Sequence, residues 1–236
     1  MKPLEHVLKD ICPVDSAVFE AVSRRLDNLT KPKKSLGRLE EFAMRIAGIQ
    51  LREEPEIKEK IIFTFAGDHG VSDEAVSAFP KEVTCQMVLN FLRGGAGINV
   101  LARHVGARVI VIDIGVDGGF DDLNGLVKRK VIRGTRNMKK GPAMTRQEAL
   151  KCIEVGLELA HEYAVTGAIF GTGEMGIANS TAASAMLAVF SGLPAVEVTG
   201  KGTGIDEHVF RHKVKVIEES LLLNAPDPDD PLDVLS

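Results

Sequence analysis

A chain of 236 residues is long enough for one large domain or one domain with a small appendage, and a 44% hydrophobic content allows a sizeable buried core. A net charge of −4, no tryptophan and a single tyrosine leave neither a dominant basic surface nor stacking platforms, which argues against nucleic acid as a partner. Cys12, Cys85 and Cys152 are odd in number, far apart and outside any C-x-x-C pair. No disulfide framework or zinc knuckle is supported. No apolar run spans a bilayer, and Met1-Lys-Pro-Leu-Glu-His6 lacks the apolar stretch of a secretory leader, so a cytoplasmic protein without a membrane partner is expected.

Residues up to about 59 read as helical. Ser16–Leu29 and Leu36–Leu51 carry apolar residues at three- and four-residue spacing, the second through Leu36, Leu39, Phe42, Ala43, Ile46 and Ile49. A basic turn, Leu29–Gly37, separates them. Lys60–Ala66 reads as a buried strand, Glu82–Phe91 as a helix, and Ile98–His104 as the next helix after the glycine break at Gly94–Gly97. Arg108–Ile114 is β-branched almost throughout and reads as a second strand. Val127–Ile132 is a third strand candidate whose charges suit an edge. Thr145 and Glu148 form a capping-box pattern that opens a helix to about Tyr163. Ala168–Phe170 is the next strand, Asn179–Phe190 a helix, Pro194–Val198 a short strand candidate and Asp206–Leu223 an amphipathic helix. The remainder, 224–236, is an acidic, proline-rich tail. Alternating strands and helices indicate an α/β fold with a parallel sheet. The predicted divisions are a small helical subdomain at 1–58, an α/β domain at 59–223, and the tail.

Ligands of such sheets bind at the C-terminal ends of the strands. Gly67-Asp68-His69-Gly70, Asp113-Ile-Gly-Val116 and Gly171–Gly176 all fall there. The third is the most informative. It reads as a glycine-rich turn between a strand and a helix, in which Gly171, Gly173 and Gly176 permit close backbone approach and positive φ. Asn179, Ser180 and Thr181 supply N-cap chemistry, and a helix N-terminus suits a phosphate. Glu174 inside the turn suits ribose hydroxyls or a proton. Gly171–Gly176 also matches G-x-G-x-x-G, with Glu197 at the distance of a ribose-binding acid. A dinucleotide site, a mononucleotide site and an empty turn all remain open on spacing alone.

Asp68 and His69 suit orientation of a base or, equally, a tight turn capped by Asp68. No paired-histidine spacing supports a metal there, and no serine elbow or cysteine nucleophile accompanies a hydrolase. Ser77, Phe79, Pro80, Gln86 and Met87 could wall a slot for a flat heterocycle, though the same run is ordinary helix-entry sequence and helical methionines usually belong to the core. Lys213 matters only if its helix crosses the glycine-rich turn. The basic cluster Lys128, Arg129, Lys130, Arg133, Arg136, Lys139 and Lys140 reads as a solvated edge or as a phosphate-facing loop.

Taken in order, Leu29-Thr-Lys-Pro…Ser35-Leu-Gly-Arg-Leu-Glu40, Phe65-Ala-Gly-Asp-His-Gly-Val71, Val83-Thr…Gln86-Met-Val-Leu-Asn-Phe91, Gly94-Gly-Ala…Ile98-Asn-Val-Leu101, Gly173-Glu-Met-Gly-Ile-Ala-Asn179 and Gly202-Thr-Gly204 resemble the nicotinate-nucleotide–dimethylbenzimidazole phosphoribosyltransferase family. The resemblance covers essentially the whole chain and favours a mononucleotide. It implies attack of a 5,6-dimethylbenzimidazole nitrogen on C1′ of nicotinate mononucleotide, giving α-ribazole 5′-phosphate and nicotinate for cobalamin synthesis. It further implies a Rossmann-like large domain, a small helical domain and a homodimer, with no metal or organic cofactor. Glu174 and Lys213 match family site positions. Gly173, Gly176, Asn179, Ser180 and Thr181 fall to phosphate and ribose, and Ser77, Phe79, Pro80, Gln86 and Met87 to the benzimidazole, with Asp68 and His69 supporting. Family members continue beyond Asp-Pro-Leu-Asp-Val-Leu, and that later part carries a glutamate thought to be the general base. A sheet without its later strands would expose an edge, so oligomerisation or low stability is expected of this chain. A catalytically impaired nucleotide-binding or assembly module of the same fold is the alternative, and a dinucleotide-dependent oxidoreductase a more remote one.

Overall fold

A computed structural model describes residues 4–14, 16–120, 123–165 and 167–236. The start of the N-terminal run read for a leader, residues 1–3, lies outside them. The chain separates into two compact units, one of Met1–Lys60 with His161–Ile169, the other of Ile61–Ala160 with Phe170–Ser236.

The first unit holds α1 (Leu4–Asp10), α2 (Ala17–Asp27) and α3 (Arg38–Gln50), with α2 and α3 packed on one another. The basic turn between them is held by Glu40, whose Oε1 accepts from Lys31 Nζ at 2.8 Å and from the Leu36 amide at 3.2 Å. These bonds explain how a carboxylate is buried on α3 beside Ala47 and Gly48. Leu39, Phe42 and Ile49 of the expected apolar stripe are exposed instead.

The second unit is built on a four-stranded sheet of order β3-β2-β1-β4, comprising β1 (Glu59–Gly67), β2 (Arg108–Gly115), β3 (Leu126–Lys128) and β4 (Ala168–Met175). β1 and β2 run parallel with Ile61 opposite Arg108, and β2 and β3 parallel with Val111 opposite Leu126. β3 is an edge strand, as the charges of 127–132 suit, but it ends at Lys128. Beyond it Arg129 and Val131 donate singly to the Asp113 and Ile114 carbonyls.

Helices surround the sheet, giving the expected α/β architecture. α4 (Val83–Leu92) and α5 (Gly97–Val105) contact β2, and Val88, Phe91, Ala96, Val111 and Leu126 share one core cluster. α6 (Arg146–Glu162) opens on the capping box: the Glu148 amide donates to Thr145 Oγ1 at 3.2 Å and the Thr145 amide to Glu148 Oε2 at 2.7 Å. α7 (Asn179–Ser191), α8 (Ala195–Val198) and α9 (Glu207–Asn224) pack together through Ala185, Ala195, Val214 and Ile217.

Pro194–Val198 is thus a helical turn, not a strand. The Glu197 amide turns back to the Pro194 carbonyl, and Thr199 Oγ1 donates to the Ala195 carbonyl at 2.6 Å, so local bonds take the groups a ladder would need. The tail folds in part. α10 (Pro231–Leu235) is capped by Asp230, contacts α7, and is anchored by an ion pair from Arg146 to Asp230 at 2.7 Å.

Candidate functional site

The glycine-rich segment differs from its expected form. β4 continues through Gly171 and Gly173 to Met175, so both glycines and Glu174 lie in strand. A Cβ at Gly173 would meet only ordinary neighbours, 3.4 Å from Thr64 Oγ1. Gly176 is where the missing side chain counts, because a Cβ there would collide with the Gly67 carbonyl oxygen and lie 2.9 Å from the His69 ring. The residue with positive φ is Ala178, at 71°, which precedes α7 and provides no side-chain cap.

Asn179, Ser180 and Thr181 are therefore the first residues of α7, not its cap. Their surroundings already use several donors. The Ile177 amide donates to Thr84 Oγ1 at 3.1 Å, the Asn179 amide to the Gly176 carbonyl at 3.1 Å, and the Thr181 amide to the Ala178 carbonyl at 2.9 Å. Asn179 Nδ2 also donates to Gly176 O at 2.7 Å. The Thr181 side chain is fully buried, and its hydroxyl has no hydrogen-bond partner among the described residues. Ser180 is half-buried, and its hydroxyl has a partner.

Ser180 meets Lys213, which α9 carries to the start of α7. Lys213 is 1% exposed, yet among the described residues its Nζ donates only to Ser180 Oγ at 2.8 Å and the Gly200 carbonyl at 3.1 Å. No carboxylate among the described residues pairs with it. Burial holds its pKa below that of an ordinary lysine. A buried ammonium with only neutral partners is suited to an anion. Gly202, at φ 54°, closes this corner: a Cβ there would fall 2.7 Å from Ser180 Oγ and 3.3 Å from Lys213 Nζ.

The next residue, Thr203, reaches the other predicted cluster. Its Oγ1 accepts from the Ala78 amide at 3.0 Å and lies 3.3 Å from Ser77 Oγ. Ser77 Oγ in turn accepts from the Phe79 amide at 3.3 Å. Phe79 is 52% exposed, and Pro80 and Gln86 are exposed too. Met87 is different: it packs against the core cluster with Val88 and Phe91, in keeping with the usual place of a helical methionine.

Asp68, His69 and Glu174 line one cavity of about 200 Å³ at the ends of β1, β2 and β4. Asp68 is buried and staples three segments. Its Oδ2 accepts from the Asp117 amide at 2.7 Å, its own amide donates to Gly115, and its carbonyl accepts from Thr135. Burial lowers the His69 pKa despite the pull of Asp68, which leaves a neutral imidazole at pH 7. The Glu174 side chain is exposed in part, but the protein around its carboxyl displaces enough water to raise its pKa, against a hydrogen bond from Asn179.

Sequence reasoning missed several positioning groups. Lys130, read with the basic cluster, pairs with buried Asp113 at 3.2 Å and donates to the Val116 and Gly118 carbonyls. This fixes the loop whose Asp117 holds Asp68 and pairs with Lys81 at 2.7 Å. Arg136 pairs with Glu148, and Lys139 with Glu74 and Glu219, so these bases tie elements together. Thr84 and Thr203 stood inside the motif runs, but nothing local marked them as partners of Ile177 and Ala78.

A family model described as phosphoribosyltransferase matches residues 11–236. Over 237 residues the chain is 60% identical to the nicotinate-nucleotide–dimethylbenzimidazole phosphoribosyltransferase of Geobacter sulfurreducens, covering 100% of this chain and 67% of that protein. The protein of the same name from Geobacter metallireducens is 57% identical over the same shares. The crystal structure of CobT from Thermus thermophilus matches with a TM-score of 0.87 and 46% identity, covering 93% of this chain and 66% of that one. The chain thus spans about two-thirds of the length of these relatives. With the identity, the matched model and the shared fold in agreement, the chain belongs to the nicotinate-nucleotide–dimethylbenzimidazole phosphoribosyltransferase family.

Proposed function

We propose that this chain binds nicotinate mononucleotide and 5,6-dimethylbenzimidazole and transfers the phosphoribosyl group from the first to the second, in the cobalamin pathway. The observation that carries this reading is the buried Lys213 ammonium, which has only neutral partners among the described residues and sits beside Ser180 and Gly202. Lys213 and Ser180 hold the 5′-phosphate, and the neighbouring backbone of Gly173, Gly176 and Asn179 lies along the ribose. Ser77, Phe79, Pro80 and Gln86 present the flat base. A bond forms between the benzimidazole nitrogen and C1′ as the bond from C1′ to the nicotinate nitrogen breaks. Inversion follows from in-line attack. The proton on the attacking heterocycle goes to a carboxylate, for which Glu174 is suited by its raised pKa. Asp68 and His69 support the strand ends around it.

The reading includes a cytoplasmic location, where a charged mononucleotide is retained by the membrane. Among the described residues no helix is long and apolar enough to cross a membrane. A homodimer is part of the same reading, and light scattering of the purified chain tests it.

The direct test incubates the purified chain with nicotinate mononucleotide and dimethylbenzimidazole and follows α-ribazole 5′-phosphate by chromatography and mass. Product supports transfer with the proton acceptor inside this chain. Binding of both substrates without product assigns the chain the anchoring role alone. Absence of nucleotide binding overturns the reading.

A further inference from the structure

The turn Gly202-Thr203-Gly204 touches both candidate subsites at once. On one side Gly202 packs against Ser180 Oγ and Lys213 Nζ, so closely that a Cβ would crowd the hydroxyl. On the other, Thr203 Oγ1 receives the Ala78 amide and meets Ser77 Oγ, which receives the Phe79 amide. The segment that carries Phe79 and Pro80 has few other restraints: residues 78–80 are exposed. Both flanking glycines have positive φ, 54° at Gly202 and 81° at Gly204, a backbone that presents Thr203 on a tight turn.

We propose that Thr203 is a positioning residue for the flat aromatic base. Its hydroxyl fixes the Ser77–Pro80 wall and ties it to the anion corner at Lys213. The inference rests on the functional reading above and deepens it. Thr203 need not touch either substrate. It holds the wall in the conformation that faces the bound nucleotide, so the entropy of ordering 77–80 is not charged to base binding. Losing one such hydrogen bond at an exposed position weakens binding about threefold to tenfold.

The test measures dissociation constants for dimethylbenzimidazole and for nicotinate mononucleotide by calorimetry in the native chain, Thr203→Val and Thr203→Ser. Valine keeps the shape and removes the acceptor; serine keeps the hydroxyl. Thr203→Val is expected to weaken the base by the stated factor, to leave the nucleotide within about twofold, and Thr203→Ser is expected to restore base affinity. Equal losses for both ligands, or no rescue by serine, would reveal a merely structural role and overturn the proposal. Unchanged base affinity in Thr203→Val overturns it as well, while leaving the functional reading intact. A native chain that binds neither substrate overturns both.

Discussion

Lys213→Met separates a functional lysine from a structural one. The native side chain is 1% exposed and donates to Ser180 Oγ and the Gly200 carbonyl, with no opposing charge among the described residues. Methionine fills similar space without charge. Two hydrogen bonds are lost, but the cost of keeping an ammonium out of water, several kcal/mol, disappears with them. The melting temperature should therefore hold or rise. Nucleotide binding should weaken. A hydrogen bond from a charged donor contributes about 1.5–3 kcal/mol, which corresponds to about a 10- to 150-fold weaker dissociation constant for nicotinate mononucleotide. The pH dependence follows from the same burial. Because the folded pKa lies below that of the unfolded chain, stability rises with pH through the window between them, and nucleotide affinity falls at a lower pH than an exposed lysine would give. Lys213→Met should lose both dependences. Calorimetry and thermal denaturation across alkaline pH read the two effects. A variant that binds nucleotide within about twofold of the native chain, or that unfolds many degrees earlier, would refute the assignment.

Glu174→Gln should abolish product formation while nucleotide binding persists, and the native acid limb should lie at higher pH than an ordinary glutamate gives, because burial raises the pKa; turnover unchanged by the substitution excludes Glu174 as proton acceptor. Gly176→Ala should cost about 1–3 kcal/mol or more, since the new methyl meets the Gly67 backbone oxygen, which cannot swing aside; a melting temperature equal to that of the native protein would contradict the close approach. Gly156→Ala, inside α6 with open space at its Cβ, should have the opposite sign, gaining about 0.5–1 kcal/mol in denaturant unfolding.

Periodicity and punctuation made the local elements legible. The β-branched run at Arg108–Ile114 and the capping box at Thr145 and Glu148 depend on neighbours in sequence, and both stand where the sequence places them. The ordered series of motifs likewise carried the family, because many short patterns in a fixed order constrain more than one glycine turn does. What the sequence could not decide were contacts between distant segments. It read Gly171 and Gly173 as turn because glycine is permissive, whereas pairing with β1 draws them into strand and leaves the sterically required glycine at 176, against Gly67 and His69. It left Lys213 as a surface lysine unless its helix crossed the turn; only the packing of α9 on α7 buries the ammonium beside Ser180. Thr203 and Ala78 are joined by a bond across 125 positions, for which no spacing rule exists. Hydrogen-bond partners far apart in the chain are chosen by the folded backbone, and that is why the elements were readable from the sequence while the corner they form was not.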